Sequence, residues 1–348
     1  VCIDDVCVPD VPSPPSCAGS SALSIVAQLA LEDTPSVVGI FPLEDGSGRI
    51  VLGTGLTQHL IDATLDGFEG LPGAPMADLD TSVGDVDGDG HLDLLVEGGH
   101  SILLGDGGGA FVAIDGPAAA YTNAAIGDLD GDGRGELIAW VTVCMALRGC
   151  GGDDLGVFRG PAGTWEAIYS GFVGFPGTRL RIAALVPDRL PFAVFENHRG
   201  DLQIFAGPVA NFQAEGGALF VPEFGGSDHA VARAAADDRA ELWRNRPRVG
   251  FTFLAGLRVE SDSATSTERW AVPGTFERLA AGDLDGDGGD DLVLGGTSGL
   301  AVVGDDGCLR AWPELGALVD VAVGDLDGDA RPEIVVATDG SLVVYRPA

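Results

Sequence analysis

At 348 residues, with 45% hydrophobic and 21% charged side chains, the chain is too apolar for disorder and long enough for two ordinary domains or one repeat architecture. Its formal net charge is −34, with 53 acidic residues against 19 basic ones, all arginine, and this repels phosphate backbones and anionic membranes, arguing against nucleic acid as a partner. Gly 54 and Pro 20 favour tight turns and short strands, and no apolar run approaches the ~20 residues of a membrane span.

In chain order, "VCIDDVCVPD" shows no signal-peptide pattern. The expectation is an extracellular, cell-surface or periplasmic protein whose signal has been removed. The six cysteines, Cys2, Cys7, Cys17, Cys144, Cys150 and Cys308, form no C-x-x-C or Cys/His cluster, which argues against zinc and fits disulfides in an oxidising compartment. Cys144 and Cys150 flank a short loop and are expected to close it. Cys308 pairs either with one of Cys2, Cys7 and Cys17, or not at all if the N-terminal cysteines pair among themselves. Residues 9–20 read as a proline-rich extended connector.

Beyond the connector the chain repeats. Four segments align without gaps: "VGDVDGDGHLDLLVEGG" from Val83, "IGDLDGDGRGELIAWVT" from Ile126, "AGDLDGDGGDDLVLGGT" from Ala281 and "VGDLDGDARPEIVVATD" from Val323. Three eroded copies begin at Ser24, Arg181 and Ala230. Each copy reads as four short strands separated by Gly, Asp and Asn. Such a unit cannot bury both faces alone, and radial packing solves that, so the expected fold is all-β: a seven-bladed β-propeller of four-stranded antiparallel blades. A linear solenoid needs shorter repeats, and two sandwiches do not explain one loop motif along the whole chain. Approximate blades are 21–76, 77–119, 120–176, 177–226, 227–274, 275–316 and 317–348. The last copy lacks a fourth strand, and residues 1–10 are expected to supply it and close the ring.

Within the four full copies, carboxylates fall at loop positions 1, 3, 5 and 9, and position 7 is expected to offer its backbone carbonyl. The sets are Asp85, Asp87, Asp89, His91 and Asp93; Asp128, Asp130, Asp132, Arg134 and Glu136; Asp283, Asp285, Asp287, Gly289 and Asp291; and Asp325, Asp327, Asp329, Arg331 and Glu333. Oxygen-only, charge-rich donors suit calcium rather than magnesium, which keeps more water. The flanks are strands and position 12 is apolar, so these are not EF-hands. Metal-free Asx-turns are the bland alternative. Ala330 replaces glycine at position 6 of the last loop and would be strained wherever φ must be positive.

These loops resemble the FG-GAP or VCBS repeats of integrin alpha-subunit propellers and of many bacterial secreted proteins, whose pattern is Asp-x-Asp-x-Asp-Gly-x-x-Asp between two strands. The resemblance implies about four structural calcium sites on one face and leaves function open among adhesion modules, lectins and lyase scaffolds. The expected role is a calcium-stabilised binding or adhesion module for a protein or glycan ligand at the cell surface. A secreted carbohydrate-active lyase or hydrolase and a structural subunit of a surface assembly are the alternatives. No catalytic motif marks itself: His59, His91, His100, His198 and His229 follow no pattern, and Tyr121 and Tyr169 have no evident partners. Trp140, Trp165, Trp243, Trp270 and Trp312 either stack on sugars or fill gaps between blades. Arg239–Gly250 is the one local basic cluster, suited to an acidic ligand or simply offsetting nearby acids.

Overall fold

The structure is a computed structural model, and it describes residues 2–3, 6–7, 11–17, 22–54, 57–65, 68–71, 82–96, 101–117, 121–145, 149–160, 165–171, 177–186, 189–197, 199–208, 218–234, 239–260 and 263–347. Two short strands, β1 (Cys2–Ile3) and β2 (Val6–Cys7), pair only with each other, and β3 (Leu23–Ala30) follows the connector. The rest forms seven four-stranded antiparallel sheets.

Blade one is β4 (Pro35–Pro42), β5 (Gly48–Thr54), β6 (Thr57–Ile61) and β7 (Phe68–Gly70). Blade two is β8 (Ser82–Gly84), β9 (Asp93–Val96), β10 (Ser101–Gly105) and β11 (Phe111–Asp115). Blade three is β12 (Tyr121–Gly127), β13 (Glu136–Met145), β14 (Gly149–Arg159) and β15 (Glu166–Gly171). Blade four is β16 (Gly177–Ala183), β17 (Phe192–Asn197), β18 (Leu202–Ala206) and β19 (Ala218–Val221). Blade five is β20 (Asp228–Arg233), β21 (Ala240–Arg248), β22 (Phe251–Val259) and β23 (Ala264–Pro273). Blade six is β24 (Arg278–Gly282), β25 (Asp291–Gly296), β26 (Gly299–Val303) and β27 (Leu309–Trp312). Blade seven is β28 (Leu318–Gly324), β29 (Glu333–Thr338), β30 (Ser341–Pro347) and β3.

The core is not one body but seven clusters, one at each blade-to-blade interface. Alternate residues of a strand serve the two neighbours. On β29, Ile334 and Val336 pack toward blade six, while Val335 and Ala337 pack toward blade one. Strands buried on both sides therefore read as unbroken apolar runs rather than alternating ones. The tryptophans with the least exposure belong to this packing. Trp140 is 2% exposed and meets Phe195 of blade four edge-on at 5.5 Å, and Trp243 stacks on Trp270 at 5.3 Å.

Ring closure differs from expectation in one respect. The outer strand of blade seven is Leu23–Ala30, paired antiparallel with Ser341–Pro347, and not residues 1–10. The closing strand must match the seven residues of β30, and the eight-residue run at 23–30 does so, whereas β1 and β2 have two residues each. The eroded copy opening at Ser24 is accordingly split across the seam, its first stretch completing blade seven and its remainder founding blade one.

The described part of the connector, residues 11–17, is an edge strap. Pro12 O accepts from Ala271 N of blade five at 3.0 Å, Pro15 O accepts from Leu309 N of blade six at 2.7 Å, and Cys17 N donates to Leu309 O at 3.1 Å. Prolines need only supply carbonyls here, which is why they are tolerated against a sheet edge. Cys17 is disulfide-bonded to Cys308, 291 residues away in sequence. Cys2 lies opposite Cys7, and Cys144 opposite Cys150, in backbone register; the sulfurs of these four lie outside the described side chains. His100 and His198 also lie outside the described residues.

Two aspartates latch the blades near the axis, where the first strands meet. Asp228 accepts from Leu279 N of blade six at 3.1 Å and receives Arg181 of blade four at 3.4 Å. Asp320 repeats this two blades further round, accepting from Val38 N of blade one at 2.8 Å and receiving Arg278 of blade six at 3.4 Å. Each thus ties three consecutive blades. Burial pushes the Asp320 carboxyl up to about 7.

Two outcomes follow from the seam. Replacing Cys17 and Cys308 together by serine should cost about 2–4 kcal/mol, because the bridge constrains a very long loop of the unfolded chain; denaturant midpoints of the two proteins measure this. The folded protein holds a proton on Asp320 more tightly than the unfolded chain does. Its contribution is therefore complete below pH 3.8 and lost as pH rises towards about 7. Asp320→Asn should flatten the fall in melting temperature between pH 5 and pH 8, and an unchanged slope would count against this account.

Candidate metal centres

In blades two, three, six and seven the connection from first to second strand is the aspartate loop, and its geometry is the same four times over. The position 1 carboxylate accepts from the backbone N–H of position 4, at 2.6 Å (Asp85 from Gly88; Asp128 from Gly131) or 2.7 Å (Asp283 from Gly286; Asp325 from Gly328). Its second oxygen accepts from position 6, at 2.9 Å for Gly90, Gly133 and Gly288 and 2.7 Å for Ala330. The position 3 carboxylate accepts from the N–H of position 5, and that of position 5 from the N–H of position 7, which is how His91, Arg134, Gly289 and Arg331 enter the loops. Position 9, the first residue of the second strand, accepts from the N–H of position 2 at 2.7–3.0 Å. The chain is wound by its own carboxylates, and their outer lone pairs converge.

Three carboxylates per loop bring an oxygen within 4.8 Å of the other two: Asp85, Asp87 and Asp93; Asp128, Asp130 and Glu136; Asp283, Asp285 and Asp287; Asp325, Asp327 and Glu333. Asp89, Asp132, Asp291 and Asp329 stand outside these triads. Position 9 is the most buried member, with Asp93, Glu136, Asp291 and Glu333 between 0% and 2% exposed. Burial pushes Asp93 up to about 6 and Asp291 up to about 7, with repulsion from neighbouring loop aspartates adding to it. An all-oxygen donor set around a desolvated acid fits a hard cation with contacts of about 2.3–2.6 Å. By this chemistry each loop could hold calcium.

The four loops divide into two kinds. Where position 9 is glutamate, an arginine from the third strand reaches it. Arg159 donates to Glu136 at 2.8 Å and also contacts Asp130. Arg346 donates through Nε to Glu333 at 2.8 Å and through Nη2 to Asp327 at 2.5 Å, which holds the Asp327 carboxyl below its usual range. Where position 9 is aspartate, a glycine stands there instead, Gly105 as the last residue of β10 and Gly304 directly after β26. The shorter side chain draws the backbone close, and Gly105 N donates to Asp93 at 2.9 Å. A Cβ on Gly105 would lie 2.3 Å from Leu92 O. The sequence pairing is visible in retrospect, with Glu136 and Glu333 accompanied by "VFRG" and "VYRP", and Asp93 and Asp291 by "LLGD" and "VVGD". Asp305 is a further acid missed by loop counting, its carboxyl raised by burial and then by Asp287 and Asp285.

The loops also brace one another around the rim. Gly135 N donates to Asp85 O, Asp290 N donates to Arg233 O at 2.8 Å, and Arg233 N donates to Asp290 at 2.7 Å. The His91 ring pairs with Glu44 of blade one, so its role includes this cross-blade contact and not only a carbonyl in the loop. Among the other singled-out residues, His229 is 4% exposed with Nδ1 3.6 Å from Glu196. Trp165 Nε1 donates to Asp115 O at 3.0 Å, and Trp312 packs partly buried between blades six and seven. The basic cluster splits: Arg239 pairs with Glu260 at 3.0 Å and Arg244 lies 3.7 Å from Glu268, while Arg246 and Arg248 line an open cleft.

The family described as FG-GAP-like repeat matches residues 85–139, which contain the first two aspartate loops. No curated protein matches the chain in sequence. Solved structures with a similar fold include the crystal structure of BBS1N in complex with ARL6DN, soaked with mercury, at TM-score 0.60 and 10% identity over 94% of this chain and 97% of that one. The lead-soaked crystal of the same complex gives TM-score 0.60 and 11% identity over 94% and 96%. At such identity the likeness concerns the fold.

Ala330 sits at φ 65°, where the other loops place glycine at 88–93°. Ala330→Gly should therefore raise stability by about 0.5–1 kcal/mol, less the extra entropy glycine gives the unfolded chain. A denaturant midpoint that falls instead would show that this loop is not strained.

Proposed function

We propose that this chain, an FG-GAP-repeat β-propeller, is a secreted binding module held rigid by calcium, with another protein as its ligand. One observation carries the calcium reading: a carboxylate triad recurs in four blades, drawn from loop positions 1, 3 and 9 in three and from 1, 3 and 5 in the fourth, each beside or including a buried position 9 acid. Calcium would supply the positive charge that these carboxylates need and would fasten the first strand of a blade to its second. Asp85, Asp87 and Asp93, and Asp283, Asp285 and Asp287 with Asp291 behind them, are the sets with no guanidinium bonded to their position 9 acid, and they would fill first. In the loops of Asp128 and Asp325, Arg159 and Arg346 already neutralise part of the charge and would lower the affinity for the ion.

A disulfide-closed, strongly acidic and lysine-free chain is consistent with an oxidising, extracytoplasmic setting. No helix among the described residues is long and apolar enough to cross a membrane. The ligand is taken to be a protein because a propeller of similar fold, BBS1N, is held in complex with ARL6DN, and because the tryptophans with the least exposure are spent on packing.

EGTA should lower the melting temperature by several degrees at neutral pH, and calcium should restore it. Isothermal titration should show at least two tight sites, one of which disappears in the Asp283→Asn, Asp285→Asn variant. A melting temperature indifferent to EGTA would sink the calcium reading. A glycan array run with and without EGTA tests the ligand class, since strong glycan binding would replace a protein ligand with a sugar.

A further inference from the structure

The end of the propeller opposite the aspartate loops is built from the turns between second and third strands and the connections between blades. There, between blades four and five, lies a cleft of about 550 Å³ lined by Arg199, Arg246 and Arg248, by the backbone of Gly200, Gly225 and Gly226, and by Glu196 and Glu223. Arg244, Arg246 and Arg248 are alternate residues of β21 and so project from one face of the strand. Arg244 is the buried base of this ladder, 5% exposed. Its guanidinium donates to Glu223 O at 2.8 Å and Gly225 O at 3.0 Å and lies 4.7 Å over the Phe224 ring. Its Nε is buried with no hydrogen-bond partner. Burial first, then the charges of Arg246 and Arg248, hold Arg244 below its usual range, so the positive field at the cleft is felt by the arginine beneath it.

The floor is rigid. The backbones of Gly200 and Gly225 touch, so that a Cβ on Gly225 would lie 2.4 Å from the Gly200 Cα. Gly200 N donates to Asn197 O at 2.8 Å. Glu196 lies 3.6 Å from His229 through one oxygen and keeps the other at the cleft floor, 2.7 Å from where a Cβ on Gly225 would sit, so Glu196 and Glu223 both accompany the arginines. Val249, at the tip of the same hairpin, is 89% exposed.

We infer that this cleft is a docking site for an acidic peptide segment of a partner protein, with its carboxylates on Arg246 and Arg248 and an apolar neighbour against Val249. The inference rests on the reading of the propeller as a protein-binding module. Charge sets the class of ligand. A chain at −34 repels an extended polyanion, whether nucleic acid or sulfated polysaccharide, along every part that leaves the cleft. Screening confines that repulsion to about 8 Å at physiological salt, so one or two carboxylates entering the cleft feel mainly the arginines. Bidentate guanidinium–carboxylate pairing then supplies orientation as well as attraction. None of the described lining residues is aromatic, so they offer a sugar ring no stacking platform.

A display library of random heptapeptides panned on the calcium-loaded protein tests this. Selected sequences should be enriched in Asp and Glu beside an apolar residue. Synthetic copies should bind at least tenfold more weakly to the Arg246→Gln, Arg248→Gln variant, and more weakly to wild type as salt rises. Among the described residues neither side chain makes a hydrogen bond or ion pair, and an unchanged melting curve would confirm that the variant is folded. Selection without acidic enrichment, equal binding to the variant, no binder above background, or tighter binding of a heparin-derived hexasaccharide than of any peptide would overturn the assignment. Any of these with an EGTA-sensitive melt intact removes the cleft and leaves the calcium-stabilised module standing; an EGTA-insensitive melt does the reverse.

Discussion

Each aspartate loop is organised around a carboxylate that has been taken out of water. Asp93, Glu136, Asp291 and Glu333 begin the second strands of their blades with almost no exposure, and each caps the N–H of the residue after the loop's first aspartate. A buried anion is costly unless something answers it. Part of the answer is backbone N–H groups, part is arginine in two of the four loops, and the triads are groups that could hold a metal ion for the remainder. This constraint explains why the loops close on themselves through N–H···carboxylate bonds rather than splay under repulsion. It also explains why an arginine stands at or near the end of the third strand in two blades and a glycine in the other two.

A propeller distributes its stability differently from a single-core domain. Seven separate clusters each join two blades, so no blade can fold its faces away without both neighbours. That makes the seam decisive. Leu23–Ala30 closes blade seven by ordinary strand pairing, the strap at 11–17 runs along the edges of blades five and six, and the Cys17–Cys308 bridge fixes it there. Asp228 and Asp320 act near the axis, each gripping three blades at once.

The two ends of the ring carry opposite chemistry. The loop end gathers four acidic triads, while the other end, at blades four and five, gathers three arginines over a buried fourth. The blades with eroded loops are one, four and five, and the arginine cleft sits between two of them. Two of the three blades without an aspartate loop thus flank the arginine cleft, and the four with one carry the acidic triads.

Repetition made the fold legible. The recurrence of one loop at spacings of 43 and 42 residues, with room for two more copies in the gap of 155, requires identical units that bury one another, and local pattern is enough to find strands, turns and the aspartate ligands. What could not be read were partnerships between residues far apart in the chain. Residues 1–10 read as the closing strand and 23–30 as the start of blade one, and only the length and register of β30 reversed that assignment. Arg159 and Arg346 looked like strand ends until blade geometry brought them across to Glu136 and Glu333, 23 and 13 residues away. Arg246 and Arg248 were visible as charge, but the cleft they line depends on how blades four and five meet. Periodicity determines which elements form; pairing across the ring, and the burial that gives a charge its consequence, is decided only when the blades meet.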